Sequence, residues 1–206
     1  MIFGRDPSGL LLSVPAILVA LTVHEYAHAW MADRLGDPTP RLQGRLTLNP
    51  IVHLDLLGTL LLLVAGFGWA KPVQVNPQYF PNVRGGMLAV AAAGPLSNVT
   101  LAFLAGALIQ TGLMDRSTPM GGLGLVLIYF NVLLAVFNLL PVPPLDGSRI
   151  LSALLPPDQA LTYSRLAAYG PLLLLLLIML PGRIFWSILG PPISWLIRLA
   201  AGPGAI

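Results

Sequence analysis

Residues 23–28 have the sequence VHEYAH, which matches the metal-binding pattern His-Glu-x-x-His. Residues four apart lie on one face of a helix, so His24 and His28 can bind one metal ion together. Glu25 lies beside them and can take a proton from a metal-bound water. Residues 13–21 carry no charge, and Glu25 is the only Glu in the chain. The stretch therefore predicts a metal site within a membrane-spanning helix, rather than two incidental His residues at a membrane boundary.

The composition is that of a membrane protein. Of the 206 residues, 56% are hydrophobic, and the mean hydropathy is +0.81. The absence of Cys excludes disulfides and thiolate metal ligands. The eleven basic residues are scattered, which argues against a nucleic-acid partner. The first apolar run lacks a basic leader and a small-residue cleavage site, so we expect a retained helix rather than a signal peptide.

Apolar runs of spanning length occur at 8–35, 86–113, 123–140, 163–180 and 184–201. We predict an all-α polytopic membrane protein with about five to six transmembrane helices. A chain of this length is expected to form a single membrane-embedded domain, residues 1–206. Its core is expected at about 8–155, followed by C-terminal helices at about 163–201.

A catalytic zinc site usually has three protein ligands and an open fourth position. A second Glu is not available, and the position that carries a third His in some zinc proteases is Arg34. The Asp residues in turns, at the end of the first helix and near the N-terminus are set aside. The remaining candidates for the third ligand are His53, Asp55 and Asp146. We favour Asp146, because it follows a Pro-rich interruption where its carboxylate would face a cavity. The alternative is a Leu-Asp-Gly turn at a helix end.

Three motifs occur in order: HEYAH at 24–28, GPLSN at 94–98 and NLLPVPPLDG at 138–147. Together they resemble the site-2 protease family of intramembrane zinc metalloproteases, across about residues 10–155. The resemblance is closest to its compact bacterial and archaeal branch, which has stretches similar to NPIVHLDLLGT at 49–59 and KPV at 71–73. It implies that His24, His28 and Asp146 bind one zinc ion and that Glu25 is the general base. The chain lacks PDZ and nucleotide-binding CBS domains, so regulation through them is not expected.

The two parts of the metal site must meet at one depth in the membrane. They meet only if residues 51–81 enter and leave on the same side, so we predict a re-entrant half-helix and a short β-hairpin between the first two full spans. Most basic residues, including Arg34, Lys71 and Arg84, then share one side, while the opposite turn holds Arg116. The positive-inside rule places the site toward the cytoplasm of a bacterial or archaeal cell.

The expected reaction is hydrolysis of a peptide bond in or near a transmembrane segment of a membrane-protein substrate. Residues 71–76 alternate like an extended strand, so Lys71, Val73 and Val75 are candidates for β-pairing with an unwound substrate. Asn98 and Asn138 can donate hydrogen bonds to the substrate, or can instead join two helices.

Three further interpretations stay open from the sequence. His53 is either a residue near the metal or a structural residue bonded to Asp55, and we favour the structural role. A membrane metal transporter or non-catalytic metal-binding protein is the alternative function, because intramembrane His and Asp can line an ion path. Glu25 distinguishes the two, since binding alone does not need it. A prenyl-protein protease would need a second Glu ligand. The sequence does not indicate an oligomeric state.

Overall fold

The computed structural model describes residues 7–65, 68–179 and 181–202, and the regular elements in them are all helices. They are α1 (Pro7–Arg34), α2 (Thr39–Leu42), α3 (Pro50–His53), α4 (Leu56–Ala65), α5 (Val83–Gln110), α6 (Pro119–Asn138), α7 (Asp146–Leu154), α8 (Pro157–Ser164), α9 (Gly170–Met179) and α10 (Gly182–Ala201). Short 3-10 turns cover Pro77–Tyr79 and Arg165–Tyr169.

Five segments are long and apolar enough to cross a membrane: Leu11–Arg34, Val83–Gln110, Pro119–Asn138, Pro157–Met179 and Gly182–Ala201. This confirms the prediction of an all-α membrane protein with several spans. Two of the long helices begin at side-chain caps. The side chain of Asn82 accepts a hydrogen bond from the Gly85 N–H before α5, and Thr118 does the same for Gly121 before α6.

The helices α1 and α5 pack against each other through residues spaced by four. On α5, Val90, Gly94 and Asn98 face the two His residues of the motif on α1. Such rows of side chains pack into the grooves of a neighbouring helix, and a Gly in the row lets the two backbones approach closely. Both imidazole rings are therefore held between two helices.

The helices α6 and α10 pack antiparallel. Near one end the rings of Phe137 on α6 and Phe185 on α10 have centroids 6.5 Å apart. Near the other end the last residue of α5, Gln110, donates its Nε2 to the Ala200 carbonyl of α10 at 2.5 Å, and there the end of α5 lies beside Gly124 in the first part of α6. We call the first the metal end, where α1 ends, α5 begins and α6 ends. The second is the far end. A buried core joins α5, α6 and α10: Ala102, Ala105, Ile109, Ile128, Val132, Val136, Leu189, Ile193, Ile197, Ala200 and Ala201.

The segment Pro157–Met179 begins and ends at the metal end. The Tyr163 hydroxyl donates to the Pro141 carbonyl at 2.8 Å, and a Cβ on Gly170 would lie 3.3 Å from Pro143. The next helix, α10, then starts beside Phe137. Contacts within the described residues therefore carry α1, α5, α6 and α10 from one end to the other. Tyr163 and Gly170 of the fourth apolar segment lie at the metal end, and α10 starts at that end again.

Residues 54–76 differ from the predicted hairpin. The described residues contain no strand. One isolated antiparallel bridge joins Leu54 to Ala70, directly before residues 71–76. The reason is local: Pro72 has no N–H, and the carbonyls of Lys71 and Pro72 accept hydrogen bonds from Arg45. The 10 residues of α4 extend about 15 Å, which is shorter than the roughly 30 Å of a bilayer core.

Candidate metal centre

Three ligand atoms from two distant parts of the chain converge at the metal end. His24 Nε2 and His28 Nε2 are 3.1 Å apart, and each lies 3.2 Å from Asp146 Oδ2. All three side chains are buried. Among the described residues, this is the group of His and acidic side chains arranged closely enough to hold a metal ion.

The helix α5 fixes the tautomer of both His residues. His28 Nδ1 is 2.7 Å from the Val90 carbonyl, which can only accept, so this nitrogen carries the proton. His24 Nδ1 is 2.6 Å from Asn98 Oδ1. The amide orientation is set by Asn98 Nδ2, which donates to the Ala20 carbonyl at 3.0 Å. With the proton on Nδ1, the neutral form of each ring has its lone pair on Nε2, which faces the centre, as metal-binding His residues require.

Gly94 makes room for the two rings. A Cβ at this position would come within 2.6 Å of His24 Cε1 and 2.7 Å of His28 Cε1. Real Cβ atoms do not approach so closely, so the rings could not keep their places beside a larger residue. This explains the Gly of the GPLSN motif, while Asn98 one turn later accounts for its Asn.

The position of Asp146 depends on a tight return of the chain at the end of α6. Asp146 is the first residue of α7, and a Cβ on Gly147 would overlap the carbonyls of Leu139 and Leu140. Gly147 thus lets α7 start directly against the end of α6. At the other end of α7, Arg84 donates to the carbonyls of Ala153 and Leu155 and ties the helix to α5.

The donor set fits zinc. Atoms bound about 2.0–2.1 Å from one tetrahedral zinc lie about 3.3 Å apart, close to the spacing of the three ligand atoms. Asp146 Oδ2 is buried and makes no hydrogen bond within the described residues, which is costly for a carboxylate unless a cation is bound. Two imidazoles and one carboxylate, with no thiolate in the chain, form a set that catalytic zinc sites use.

Glu25 lies at the edge of this centre. It follows His24 directly, so its side chain leaves α1 about 100° further round the helix. Leu21, one turn earlier on the same side, packs in the cluster that joins α1 to α6. Glu25 is 9% exposed, and within the described residues its carboxylate makes no hydrogen bond or ion pair. It is therefore available as a proton acceptor beside the metal ligands.

The structure adds one residue that the sequence analysis missed. Asn131 in the middle of α6 is fully buried, and its Oδ1 accepts a hydrogen bond from Asn98 Nδ2 at 2.7 Å. Its own Nδ2 donates to the Leu127 carbonyl at 2.8 Å. A chain of hydrogen bonds thus runs from α6 through α5 to His24. The signal was present in the sequence, since an Asn in the middle of an apolar span usually has a polar partner.

Replacing Asn131 by Leu should weaken zinc binding. The change leaves a buried amide proton of Asn98 without an acceptor and loosens the group that orients His24. Residues of this kind typically contribute 10–100-fold to metal affinity, and we expect about tenfold here because Asn131 acts through Asn98. The measurement is a zinc titration of purified protein against a competing chelator.

Asn138→Leu is the matched control on the same helix. Asn138 Nδ2 donates to the Leu134 carbonyl of its own helix at 3.0 Å and makes no bond to the ligands. Its zinc affinity should equal that of the parent protein. Equal affinities for Asn131→Leu and the parent would remove Asn131 from the metal centre.

The other predicted site residues differ in whether they contact the metal centre. Asn98 belongs to the centre, but both of its amide protons are already donated, so none is left for a substrate. Asn138 keeps one amide proton and its oxygen without a hydrogen bond within the described residues. His53 is not part of the converging group: it is buried, its Nε2 donates to the Thr47 carbonyl at 2.8 Å, and its Nδ1 makes no hydrogen bond within the described residues.

The expected bond between His53 and Asp55 does not form. Asp55 instead accepts a hydrogen bond from the Gly58 N–H at 2.9 Å and caps α4. Of the residues in the extended stretch, Lys71 is exposed, whereas Val73 is buried and Val75 packs against Phe80.

Comparison with known proteins gives one family and several relatives. The model of Peptidase family M50 matches residues 120–179, which include Asp146. The chain is 40% identical over 195 residues to "Putative zinc metalloprotease YwhC" of Bacillus subtilis, which covers 90% of this chain and 89% of the relative. It is 30% identical over 182 residues to "Putative zinc metalloprotease Rip2" of Mycolicibacterium smegmatis, which covers 85% of this chain and 70% of the relative. No solved structure matches the chain.

Proposed function

The chain belongs to peptidase family M50 and is an intramembrane zinc metalloprotease, and we propose that His24, His28 and Asp146 hold its one zinc ion while Glu25 is the general base. The convergence of three ligand atoms within 3.2 Å of one another carries this proposal. Zinc content and cleavage of a transmembrane peptide, measured on one preparation of Glu25→Gln, test it: zinc should remain and cleavage should be lost.

In the proposed reaction the protein's residues bind, orient and move a proton. A bound zinc ion polarises a peptide carbonyl and lowers the pKa of a water molecule. Asn98 and the Val90 carbonyl hold the two imidazoles in the tautomer that leaves Nε2 free. The Glu25 carboxylate takes the proton of the attacking water and then delivers it to the leaving amine.

The proposed substrate is a membrane protein, cut in or near a transmembrane segment. A helical segment hides its peptide bonds and must be opened before cleavage. The extended backbone around Lys71, Val73 and Val75 is suited to pairing with the opened segment as an added strand. Asn138, which keeps one amide proton free of hydrogen bonds, is placed at the end of α6 to bind substrate backbone.

We propose that the metal end faces the cytoplasm of a bacterial or archaeal cell. Eight basic residues lie at or near this end: Arg34, Arg41, Arg45, Lys71, Arg84, Arg149, Arg165 and Arg183. Arg116 and Arg198 lie at the far end. This asymmetry satisfies the positive-inside rule. In this topology α1, α5, α6 and α10 cross the bilayer, and α4 dips into it from the cytoplasmic side as the re-entrant half-helix.

Cysteine labelling in intact cells tests this topology, and the absence of native Cys keeps the assay clean. Single cysteines at the exposed positions Gln78, Asp158 and Arg183 should react only after the cytoplasmic side is opened to the reagent, because all three lie at the metal end. A cysteine at Ser117 should react from outside. Labelling of Arg183→Cys from outside would mean that Pro157–Met179 crosses the membrane and that the four-helix topology is wrong.

A metal transporter is not favoured. A transport path needs further ligands along the membrane normal, and the described residues hold one group that is arranged for a metal, at the metal end. A buried carboxylate beside that group, at Glu25, is needed for hydrolysis and not for transport.

We propose that residues 1–206 act as a single domain.

A further inference from the structure

The extended segment (residues 71–76) is fixed to the protein at its two ends. At its start, the Lys71 N–H donates to the His53 carbonyl at 2.8 Å, and the carbonyls of Lys71 and Pro72 accept from Arg45 Nη2 at 3.1 and 2.9 Å. At its end, the Asn76 N–H donates to Asp37 Oδ2 at 2.7 Å. Two charged side chains thus hold the two ends of one short stretch of backbone.

The backbone groups in the middle of the extended segment are left for a further partner. Within the described residues, no backbone N–H or carbonyl of Val73, Gln74 or Val75 makes a hydrogen bond. The Val73 side chain is buried and the Gln74 side chain is exposed, so the segment has the alternation of a strand at the edge of a sheet. An edge of this kind offers donors and acceptors to a second extended chain.

Both fixing residues are buried charges. Arg45 is 3% exposed and Asp37 is 0% exposed. Within the described residues neither forms an ion pair, and the hydrogen bonds of both go to backbone atoms. Arg45 also donates to the Val52 carbonyl at 2.8 Å, and Asp37 accepts from the Thr39 N–H at 2.9 Å. Burying a charge costs a large desolvation free energy, which these charge-assisted hydrogen bonds to the backbone offset. The same bonds hold the backbone of the extended segment in place.

The extended segment lies next to the metal centre. Val75 packs against a cluster of buried residues, Ala32, Phe80 and Val90. Ala32 is one helical turn after His28 on α1, and the Val90 carbonyl accepts the hydrogen bond from His28. The open edge is therefore one layer of side chains away from the ligands.

We propose that Asp37 and Arg45 are positioning residues that keep the extended segment open as a pairing edge for the substrate backbone. The inference rests on the proposed function, because it concerns how the substrate of that centre is bound. Pairing through main-chain atoms selects a conformation rather than a sequence. The preferred substrates are therefore membrane segments that open readily into an extended chain.

Arg45→Lys and Asp37→Asn test this role. Lys keeps the charge but cannot reach three carbonyls with a planar fork. Asn keeps the shape, but it cannot accept both backbone N–H groups that now bond to Asp37. Arg41→Lys is the matched control, because Arg41 pairs with Asp33 on the surface and does not touch the extended segment.

The readout is disulfide cross-linking between a cysteine at Gln74 and a transmembrane peptide that carries one cysteine near its cleavage point. Steady-state kinetics and zinc content are measured on the same preparations. We expect cross-linking to fall at least about fivefold in Arg45→Lys and Asp37→Asn, with a higher KM and with zinc content unchanged. Arg41→Lys should match the parent in all three measurements.

The outcomes are distinguishable. Unchanged cross-linking and KM in both variants would overturn the role of Asp37 and Arg45. A parent protein that cleaves the peptide but does not cross-link at Gln74 would show that the edge does not bind substrate, which also overturns it. A parent that cleaves nothing would contradict the proposed function instead. If Arg45→Lys fails to fold, Asp37→Asn, with its smaller change, decides the question.

Discussion

Asp146→Ala is expected to lose zinc. The change removes one of three converging ligand atoms and leaves His24 Nε2 and His28 Nε2 with no third donor. The binding free energy of a structural zinc site is about 10–16 kcal/mol over four ligands, so one ligand contributes about 3–4 kcal/mol. We therefore expect affinity to fall on the order of a hundred- to a thousandfold. The measurement is zinc per chain after equilibration with a chelator, by elemental analysis.

His53→Ala and Asp55→Asn are the controls for this prediction. They change the other two residues that remain, from the sequence, as candidates for the third ligand. His53 bonds to Thr47 and Asp55 caps α4, so neither contributes to the metal centre. Both variants should keep the zinc content of the parent. Full zinc content in Asp146→Ala, or loss of zinc in His53→Ala without unfolding, would show that Asp146 is not the third ligand.

The spans, and the convergence of the three side chains proposed as metal ligands, could be predicted because their signals are local. An apolar run of spanning length needs no knowledge of its neighbours, and the spacing of His-Glu-x-x-His alone places two His side chains on one face of a helix with a Glu beside them. The choice of Asp146 rested on its position after a helix interrupted by Pro. The structure supplies the physical reason, since Gly147 lets α7 start against the end of α6.

The hydrogen-bond partners could not be predicted with the same success. Whether Asn98 joins helices or binds substrate depends on what lies on the neighbouring helices, and here both of its amide protons are used. The motif drew attention to Asn138, whereas Asn131, which no motif contains, is the residue that reaches the centre. The small residues Gly86, Gly94 and Ala102 recur at spacing eight along α5, and they would have indicated which face of α5 meets other helices.

The β-hairpin is absent from the described residues for a different reason. Alternation of side chains predicts an extended backbone, and residues 71–76 are extended, but alternation does not provide a partner strand. Arg45 and Asp37 take up hydrogen-bonding groups at both ends of the segment instead. Likewise, the composition of Pro157–Met179 allows it to cross a membrane. The contacts of Tyr163 with Pro141 and of Gly170 with Pro143 place its first part at the metal end.

Glu25→Gln is expected to abolish cleavage while leaving the metal centre intact. Gln has nearly the same shape as Glu but cannot accept the proton of the attacking water. Loss of a general base typically slows a reaction on the order of 10²–10⁴-fold. The three ligand atoms and their hydrogen-bond partners are unchanged, so zinc binding should not be affected. The measurement is the rate of product formation from a transmembrane peptide, by mass spectrometry over a long incubation.

Zinc content and cleavage should be measured on the same preparation of Glu25→Gln, beside the parent and Asp146→Ala, because Glu25 is proposed to move a proton and not to bind the metal. We expect Glu25→Gln to hold one zinc ion per chain and to bind the peptide as the parent does, but to form product at least about a hundredfold more slowly. Asp146→Ala should lack both zinc and activity. Cleavage by zinc-loaded Glu25→Gln at the rate of the parent would contradict the account.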